Sequence, residues 1–211
     1  MGLHEWLLKR GYKYGENTEL KVWMEHYRNS GAVADFYADK LGISRPVKTR
    51  AVAPTGTISI IAETTSGIEP IYAVAQKRRY LDCKEWKAQY IIDATAQRLI
   101  EEGVAPDTIE DAVTLSEDVE RRIAFQAFIQ DYVDHGISST INLPKWGSPN
   151  NNGDTVDKFA STLVSYLPRL RGITAYPDGC RGGQPLNRVE YADAIDKIGV
   201  EFVDQSEEGC V

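Results

Sequence analysis

The apolar residues of this chain recur mainly at helical spacing, with a few short extended segments between them. Near the N-terminus, Leu3, Trp6 and Leu7 share one helical face, and glycines follow where a turn is expected. Helices are predicted from Gly2 to about Tyr14, from Thr18 to a break at Ser30–Gly31, from Ala32 to Leu41, from Thr57 to Ala62, from Cys83 to Glu102, from Ser116 to Asp134 and from Thr155 to Leu170.

The helix predicted from Cys83 to Glu102 has the strongest pattern. It contains few β-branched residues, and its apolar positions include Trp86, Tyr90 and Leu99. The tryptophans at positions 6, 23 and 86 have spacings that suit core packing. Thr18 and Ser116 are predicted N-caps, and Gly42 is a predicted C-terminal cap.

Three segments favour extended structure. They are the β-branched stretch between Pro46 and Val52, the run from Ile137 to Pro144, and Gly172 to Tyr176. Residues 148–154 are rich in turn-forming residues and are predicted to be a surface loop. Strands alternating with helices indicate an α/β fold with helices packed outside a sheet or barrel. Three strands are few for a complete sheet, so this chain is predicted to supply part of one.

Composition excludes several classes of protein. The chain has 211 residues, 42% of them hydrophobic, and a net charge of −7, which argues against nucleic-acid binding. No apolar run reaches the length of a membrane span, and the first residues lack the basic and then apolar pattern of a secretory signal, so none is expected there. The cysteines are too few for a disulfide framework and the histidines too scattered for a metal site. A reduced, cytoplasmic setting is therefore expected.

One short segment is the best candidate for binding chemistry. A strand is predicted to enter a tight turn here and to leave as a helix, and such a junction offers free N–H groups and hydroxyls to an anion. Its residues are Ala53, Pro54, Thr55, Gly56, Thr57, Ile58 and Ser59. The same residue types also occur at an ordinary capped helix start, so the pattern alone leaves both readings open. The segment is not a P-loop, since no G-x-x-x-x-G-K-[ST] pattern is present.

Together with the following Thr-Ser-Gly-Ile-Glu-Pro (residues 65–70), this segment resembles the substrate-phosphate loop of ribonucleotide reductases. Three more stretches resemble that family in the same order. They are residues 2–8 (Gly-Leu-His-Glu-Trp-Leu-Leu), 139–144 (Ser-Thr-Ile-Asn-Leu-Pro) and 172–179 (Gly-Ile-Thr-Ala-Tyr-Pro-Asp-Gly). The resemblance covers nearly the whole chain.

The resemblance implies the C-terminal part of a ten-stranded α/β barrel, formed by residues 1–200 and followed by a mobile acidic tail over residues 201–211. In that family a cysteine within an Asn-x-Cys-x-Glu pattern becomes a thiyl radical, and this sequence contains no such pattern. A complementary N-terminal reductase chain is therefore the expected partner. The expected substrate is a ribonucleoside di- or triphosphate, with a thioredoxin-like protein as reductant, and this chain alone is expected to be inactive.

The residues around the last predicted strand resemble the adenosylcobalamin-dependent class, which makes adenosylcobalamin the expected cofactor. Tyr176 stands without the second tyrosine that the metal-dependent classes carry. Pro177 and Cys180 depart from the usual Arg and Ser of the cobalamin class. A nucleotide-binding module or a structural remnant without activity is the alternative.

The cysteines carry weaker predictions. Cys210, in the acidic tail, is a candidate thiol shuttle of the kind that family members use to re-reduce the active site, and a free surface thiol is the alternative. Cys83 is predicted to be structural, at the start of a helix beside Lys84. Cys180 lies next to Arg181, which could lower its pKa, although an ordinary turn residue explains it as well.

Overall fold

A computed structural model describes residues 1–180 and 184–204, which form a mixed α/β structure. The helices in the described part are α1 (Leu3–Lys9), α2 (Thr18–Leu41), α3 (Gly56–Ile61), α4 (Ala94–Glu101), α5 (Ala112–Leu115), α6 (Val119–Gln130), α7 (Val156–Tyr166) and α8 (Tyr191–Ala194). The strands are β1 (Ala75–Asp82), β2 (Glu85–Ile92), β3 (Thr140–Leu143), β4 (Thr174–Pro177), β5 (Leu186–Val189) and β6 (Glu201–Val203).

The described strands form two sheets. One is antiparallel with the order β5-β1-β2-β6, and the other is the parallel pair β3–β4. A parallel bridge between Val52 and Ile137 places the extended segment around Val52 beside the chain that leads into β3. Three extended segments therefore run in the same direction, joined by helices, as expected for part of an α/β barrel. The predicted strands at 137–144 and 172–176 are confirmed as β3 and β4.

The helix predicted from Cys83 to Glu102 is wrong over its first half. Residues 75–92 form a β-hairpin whose turn is at Cys83, with a left-handed φ of 56°. Within β2, Trp86, Ala88 and Tyr90 alternate with polar residues at the period of a strand, although Trp86 and Tyr90 also suit the period of a helix. The helix begins only at Ala94, where the Asp93 side chain accepts hydrogen bonds from two backbone N–H groups.

The predicted break at Ser30–Gly31 is also wrong, because α2 is one continuous helix of 24 residues. A Cβ on Gly31 would lie 2.5 Å from an Arg50 guanidinium nitrogen, so glycine here makes room for a neighbour. The N-cap is Asn17, which accepts from the Leu20 N–H, and Thr18 is the first helical residue. Gly42 ends the helix at a φ of 65°, as predicted.

One face of α2 is apolar and exposed. Its members recur at helical spacing along the length of the helix and include Val22, Trp23, Val33, Tyr37 and Leu41. The predicted burial of Trp23 is therefore wrong, since 56% of its surface is exposed.

The predicted helix from Ser116 to Asp134 is shorter at both ends. Asp118 is the N-cap of α6 and accepts from the Arg121 N–H, while the Ser116 hydroxyl donates to the Val113 carbonyl at the end of α5. Residues 131–134 leave the helix and lead toward β3.

The main apolar core lies between α1, the N-terminal half of α2, α5, α6 and the chain leading into β3. It is built from Leu7, Tyr14, Leu20, Met24, Ile68, Leu115, Phe125, Phe128, Ile129, Tyr132, Val133 and Ile137. Tyr14 is 1% exposed and packs edge-to-face on Phe125, with ring centroids 4.5 Å apart.

A buried ionic network crosses this core. Arg122 on α6 is 2% exposed and donates to Glu69 (3.0 Å), to the Thr140 carbonyl (2.7 Å) and to the Tyr14 hydroxyl. Glu69 also accepts from the Thr140 N–H. Burial raises the pKa of Glu69, and the charge of Arg122 opposes that rise. One guanidinium therefore connects α6, β3 and the segments that carry Tyr14 and Glu69.

Arg122→Met should lower the free energy of unfolding by about 3 kcal/mol, because it leaves the partly buried Glu69 carboxylate and several polar atoms without their partner. Arg169→Met is the matched control, since Arg169 pairs with Asp131 at the surface and should cost less than about 1 kcal/mol. Urea unfolding followed by circular dichroism measures both. Equal losses in the two variants would contradict a structural role for the buried pair.

His4 is a second buried titratable group in this core. Its Nδ1 accepts from the Ile71 N–H at 3.0 Å, and its ring lies 5.4 Å from the Tyr14 ring. Burial, and then the nearby charge of Arg122, lower the pKa of His4 from 6.5 to about 3. The folded protein therefore holds this imidazole neutral.

Between pH 6.5 and 3 the unfolded chain binds a proton at His4 that the folded protein does not. The free energy of unfolding should therefore fall as the pH decreases through this window, by at most about 1.4 kcal/mol per pH unit from this group. His4→Asn keeps an acceptor for the Ile71 N–H and removes the proton site, so its stability should depend less on pH. Denaturant unfolding between pH 6.5 and 4.5 tests this, with the exposed His26→Asn as control. A slope in His4→Asn as steep as that of the unchanged chain would refute it.

Candidate functional site

The predicted phosphate segment lies where an extended segment meets a helix. After Val52 the chain turns at Thr55, which has a left-handed φ of 49°, and enters α3 at Gly56. The short helix predicted at 57–62 is thus confirmed, one residue earlier. Because the Val52 segment is parallel to the chain entering β3, this turn follows the carboxyl end of its strand, the edge at which α/β barrels bind ligands.

Two hydroxyls of the segment are used to hold its shape. The Thr55 Oγ1 accepts from the Gly67 N–H at 3.1 Å. The Ser59 hydroxyl is 2.7 Å from that of Ser66 and donates to the Gly56 carbonyl, and Ser59 is only 2% exposed. Thr55 and Ser59 therefore act as internal supports of the turn, and the positive φ of a β-branched residue at position 55 marks it as a constrained site.

The opposite side of the segment faces outward. Ala53, Pro54, Gly56, Thr57 and Ile58 are exposed. Because the Thr55 side chain bonds to Gly67, it does not cap α3, and the first N–H groups of the helix have no hydrogen-bond acceptor among residues 1–180 and 184–204. The first turn also carries no acidic residue. These N–H groups and the Thr57 hydroxyl form a set of donors directed away from the core, which suits an anion.

Gly67 allows the supporting segment to pack closely beneath the turn. It has a φ of 48°, and a Cβ there would lie 3.0 Å from the Ala53 carbonyl oxygen and 3.1 Å from a methyl group of Val52. Thr65 ties the same segment to α1, since its carbonyl accepts from the Gly2 N–H and its hydroxyl from the Glu5 N–H. Residues 65–70 resemble the reductase family in sequence, but this supporting role was not predicted, and the Ser-Gly pair was the signal that could have indicated it.

A cavity of about 390 Å³ opens at the carboxyl ends of β3 and β4. Leu143 and Pro177, the last residues of these strands, line the cavity. The N-terminal turns of α6 and α7 form its sides. Trp146 lines it with 58% of its surface exposed. We call this cavity the Trp146 pocket. The sequence did not predict this cavity, because residues 148–154 were predicted only to be a surface loop and Trp146 was given no role.

The remaining sequence candidates are separate from these features. Cys83 lies exposed in the β1–β2 turn, so its predicted place at a helix start is wrong, and Cys180 is exposed after β4. Arg181 and Cys210 fall outside the described residues, as do residues 205–211 of the predicted tail. Within residues 1–180 and 184–204, no cluster of side chains suits a metal ion, and no helix has the length and apolarity to cross a membrane.

Gly67→Ala should lower the free energy of unfolding by roughly 2 to 4 kcal/mol, since it adds a strained left-handed residue and a backbone clash with Ala53. Gly153→Ala is the matched control, because a Cβ at Gly153 meets open space. Thermal and urea unfolding compare the two variants. A Gly67→Ala protein as stable as Gly153→Ala would show that the segments do not pack this closely.

The sequence profile of the ribonucleotide reductase barrel domain matches residues 42–176. A vitamin B12-dependent ribonucleoside-diphosphate reductase of Mycobacterium tuberculosis is 29% identical over 81% of this chain and 27% of its own length. The enzyme of the same name from Thermoplasma acidophilum is 32% identical over 70% of this chain and 21% of its own length. A putative adenosylcobalamin-dependent ribonucleoside-triphosphate reductase of Mycobacterium phage D29 is 25% identical over 97% of this chain and 34% of its length.

The fold has a counterpart among solved structures. The crystal structure of a B12-dependent (class II) ribonucleotide reductase superposes with a TM-score of 0.63 at 17% identity, over 90% of this chain and 31% of the other. This likeness confirms the predicted fold class, an α/β structure that forms part of the reductase barrel. The chain spans only about a fifth to a third of the length of these relatives. With a match over well over half of its residues, the chain belongs to the ribonucleotide reductase barrel-domain family.

Proposed function

We propose that this chain is the part of an adenosylcobalamin-dependent ribonucleotide reductase that holds the phosphates of the substrate. The observation that carries the proposal is the set of outward-facing N–H groups at the start of α3, beyond the carboxyl end of a barrel strand. The names of the relatives support the class of enzyme. The substrate is a ribonucleoside di- or triphosphate, whose terminal phosphates supply the anionic oxygens that such donors bind.

In this proposal the residues of the loop have distinct roles. Gly56 lets phosphate oxygens approach the backbone, and the N–H groups of Gly56, Thr57 and Ile58 donate to them. The exposed Thr57 hydroxyl adds one more donor. Thr55 and Ser59 keep the turn in its shape, with Ala53 and Pro54 leading into it. Fixing the phosphates would orient the ribose toward a radical cysteine, which accelerates reaction by positioning.

The full sequence contains no Asn-x-Cys-x-Glu pattern, so the radical cysteine belongs to another part of the enzyme. A complementary N-terminal reductase region would supply it, together with the remaining barrel strands. A thioredoxin-like protein would return electrons in the cytoplasm, and Cys210 would take part together with a second thiol from elsewhere in the enzyme, because reducing a disulfide by exchange needs two thiols. This chain alone would then bind nucleotide without reducing it.

Adenosylcobalamin would supply the radical that starts the reaction. The fit of this group to the described residues is only partial. The Trp146 pocket, at about 390 Å³, has the size that holds one drug-sized ligand, which is smaller than a corrin with its side chains. The cobalt needs no cluster of protein ligands of its own, because the corrin coordinates it. The enclosure of the cofactor therefore requires parts of the reductase beyond these residues.

A second candidate function is nucleotide binding without catalysis. The absent Asn-x-Cys-x-Glu pattern favours it, since the phosphate loop is complete without the radical site. Nucleotide affinity with no turnover after addition of a complementary region would distinguish this function from the first.

Ribonucleotide reduction should be assayed with adenosylcobalamin and a dithiol, using this chain alone and mixed with an N-terminal reductase chain from the same source. Activity is expected only in the mixture. Gly56→Ala should lower substrate affinity at least about tenfold, because a methyl group would stand where phosphate approaches the backbone. Its folding should be unaffected, since a Cβ there meets open space.

Gly153→Ala, also at an open position, is the control and should leave affinity and turnover unchanged. Calorimetry measures nucleotide binding directly, so a loss of binding at the loop can be distinguished from a loss of the reduction reaction. Full affinity in Gly56→Ala would remove the phosphate loop from the proposal, even if the mixture were active. Binding that depends on Gly56, with no activity in the mixture, would instead support the second candidate.

A further inference from the structure

A second cavity, of about 370 Å³, lies at the other edge of the parallel strands. It is lined by residues 130–134, which lead from α6 toward β3, by residues 168–171, which lead toward β4, and by Arg50. Both segments come before their strands, so the cavity is at the amino ends of β3 and β4. Its volume is within the range of small-molecule sites. We call this cavity the Arg171 pocket.

Two of the three arginines that line the Arg171 pocket are paired with carboxylates. Arg50 lies 2.9 Å from Asp134, and Arg169 donates to Asp131 through its Nε and Nη2 atoms. The charge that remains is the positive charge of Arg171, whose guanidinium and backbone N–H have no partner in the described part of the chain. A ligand with one negative charge would therefore balance the pocket.

The segment that carries Arg171 is held in place on both sides. The Gly172 carbonyl accepts from the Gln126 side chain on α6 at 2.8 Å, and the Leu170 N–H donates to the Leu167 carbonyl at 3.1 Å. Arg171 thus offers its backbone N–H and five guanidinium N–H donors from a fixed backbone. The planar fork of a guanidinium matches the oxygens of an oxyanion, and such charge-assisted hydrogen bonds are strong.

Gln130 adds an unused acceptor to these donors. The residue is 5% exposed, and its amide nitrogen donates to the carbonyls of Val133 (2.7 Å) and His135 (2.8 Å), which fixes the orientation of the amide. Its amide oxygen has no hydrogen-bond partner within residues 1–180 and 184–204. A buried acceptor without a donor costs free energy, and a ligand O–H group would recover it after a small movement of the side chain.

We propose that the Arg171 pocket binds a small oxyanion that has one negative charge and keeps a proton, such as dihydrogen phosphate or a singly charged phosphate monoester. Its charged oxygens accept from Arg171 and from the unused Nη1 of Arg169, and its O–H donates to Gln130. A doubly charged anion would be repelled by Asp131 and Asp134. The proposal is independent of the substrate loop, since it concerns the opposite edge of the strands.

Titrations followed by proton–nitrogen NMR test the proposal at about pH 5.5, where phosphate carries mainly one charge. Inorganic phosphate should shift the signals of the Arg171 backbone N–H and the Gln130 side-chain amide, with a Kd in the millimolar range. Methanesulfonate, which has the same charge and shape but no O–H group, should bind at least about fivefold more weakly. Equal binding of the two anions, or phosphate shifts confined to the loop at Gly56, would overturn the proposal.

Methyl phosphate distinguishes the two sources of the ligand. Tighter binding of methyl phosphate than of inorganic phosphate identifies a phosphate monoester as the ligand, and the reverse order identifies the free anion. Either order supports the proposal, whereas a failure of both probes to shift the Gln130 signal would contradict it.

Variants locate the site. Arg171→Gln should weaken the phosphate binding that is read from the Gln130 signal at least about tenfold, without loss of fold. Arg188→Gln, which removes another exposed arginine on β5, should leave that binding unchanged. Gly56→Ala should also leave it unchanged, which separates this pocket from the substrate loop. If Arg171→Gln stays folded by circular dichroism and shows the same titration at Gln130, the pocket is not an anion site.

Discussion

The described fold depends on the desolvation of one charge, that of Arg122. A guanidinium that is 2% exposed must satisfy its donors within the protein, and Arg122 does so with groups from three separate segments. Tyr14, Glu69 and Thr140 are distant in sequence and are brought to one point by this requirement. Glu69 belongs to the segment that also carries Gly67 and Thr65, so the support of the candidate phosphate loop is fixed to the same ion pair.

The candidate loop is consequently a rigid feature of a partial barrel. It is supported below by the Gly67 segment and at its side by α1, while its donors point outward. The Trp146 pocket lies at the same edge of the barrel strands but on other elements. The two features differ in their lining, since the loop presents backbone N–H groups, whereas the pocket is lined by Trp146, other apolar side chains and both acidic and basic residues.

The sequence predicted correctly those parts of the structure whose residue pattern fits only one kind of secondary structure. The strands at β3 and β4, the short helix α3 and the cap at Gly42 have local signals in proline, glycine and β-branched residues. The β1–β2 hairpin was missed because Trp86 and Tyr90 fit the helical period as well as the strand period. Gly31 was wrongly predicted to break the helix. Glycine is needed there because Arg50 lies against it, and that contact exists only in the folded protein. The candidate loop was located, but the internal use of Ser59 and Thr55 depends on contacts with Ser66 and Gly67 that no local pattern reveals.

The proposed use of backbone donors in the loop has an evolutionary consequence. Every residue except proline carries a backbone N–H group, so position 58 can accept many substitutions while the backbone donors remain. Gly56 and Gly67 contribute by the atoms they lack, and almost any substitution adds one. Natural selection on this site should therefore act most strongly on its glycines. A survey of variation that looked only for invariant polar side chains would overlook it.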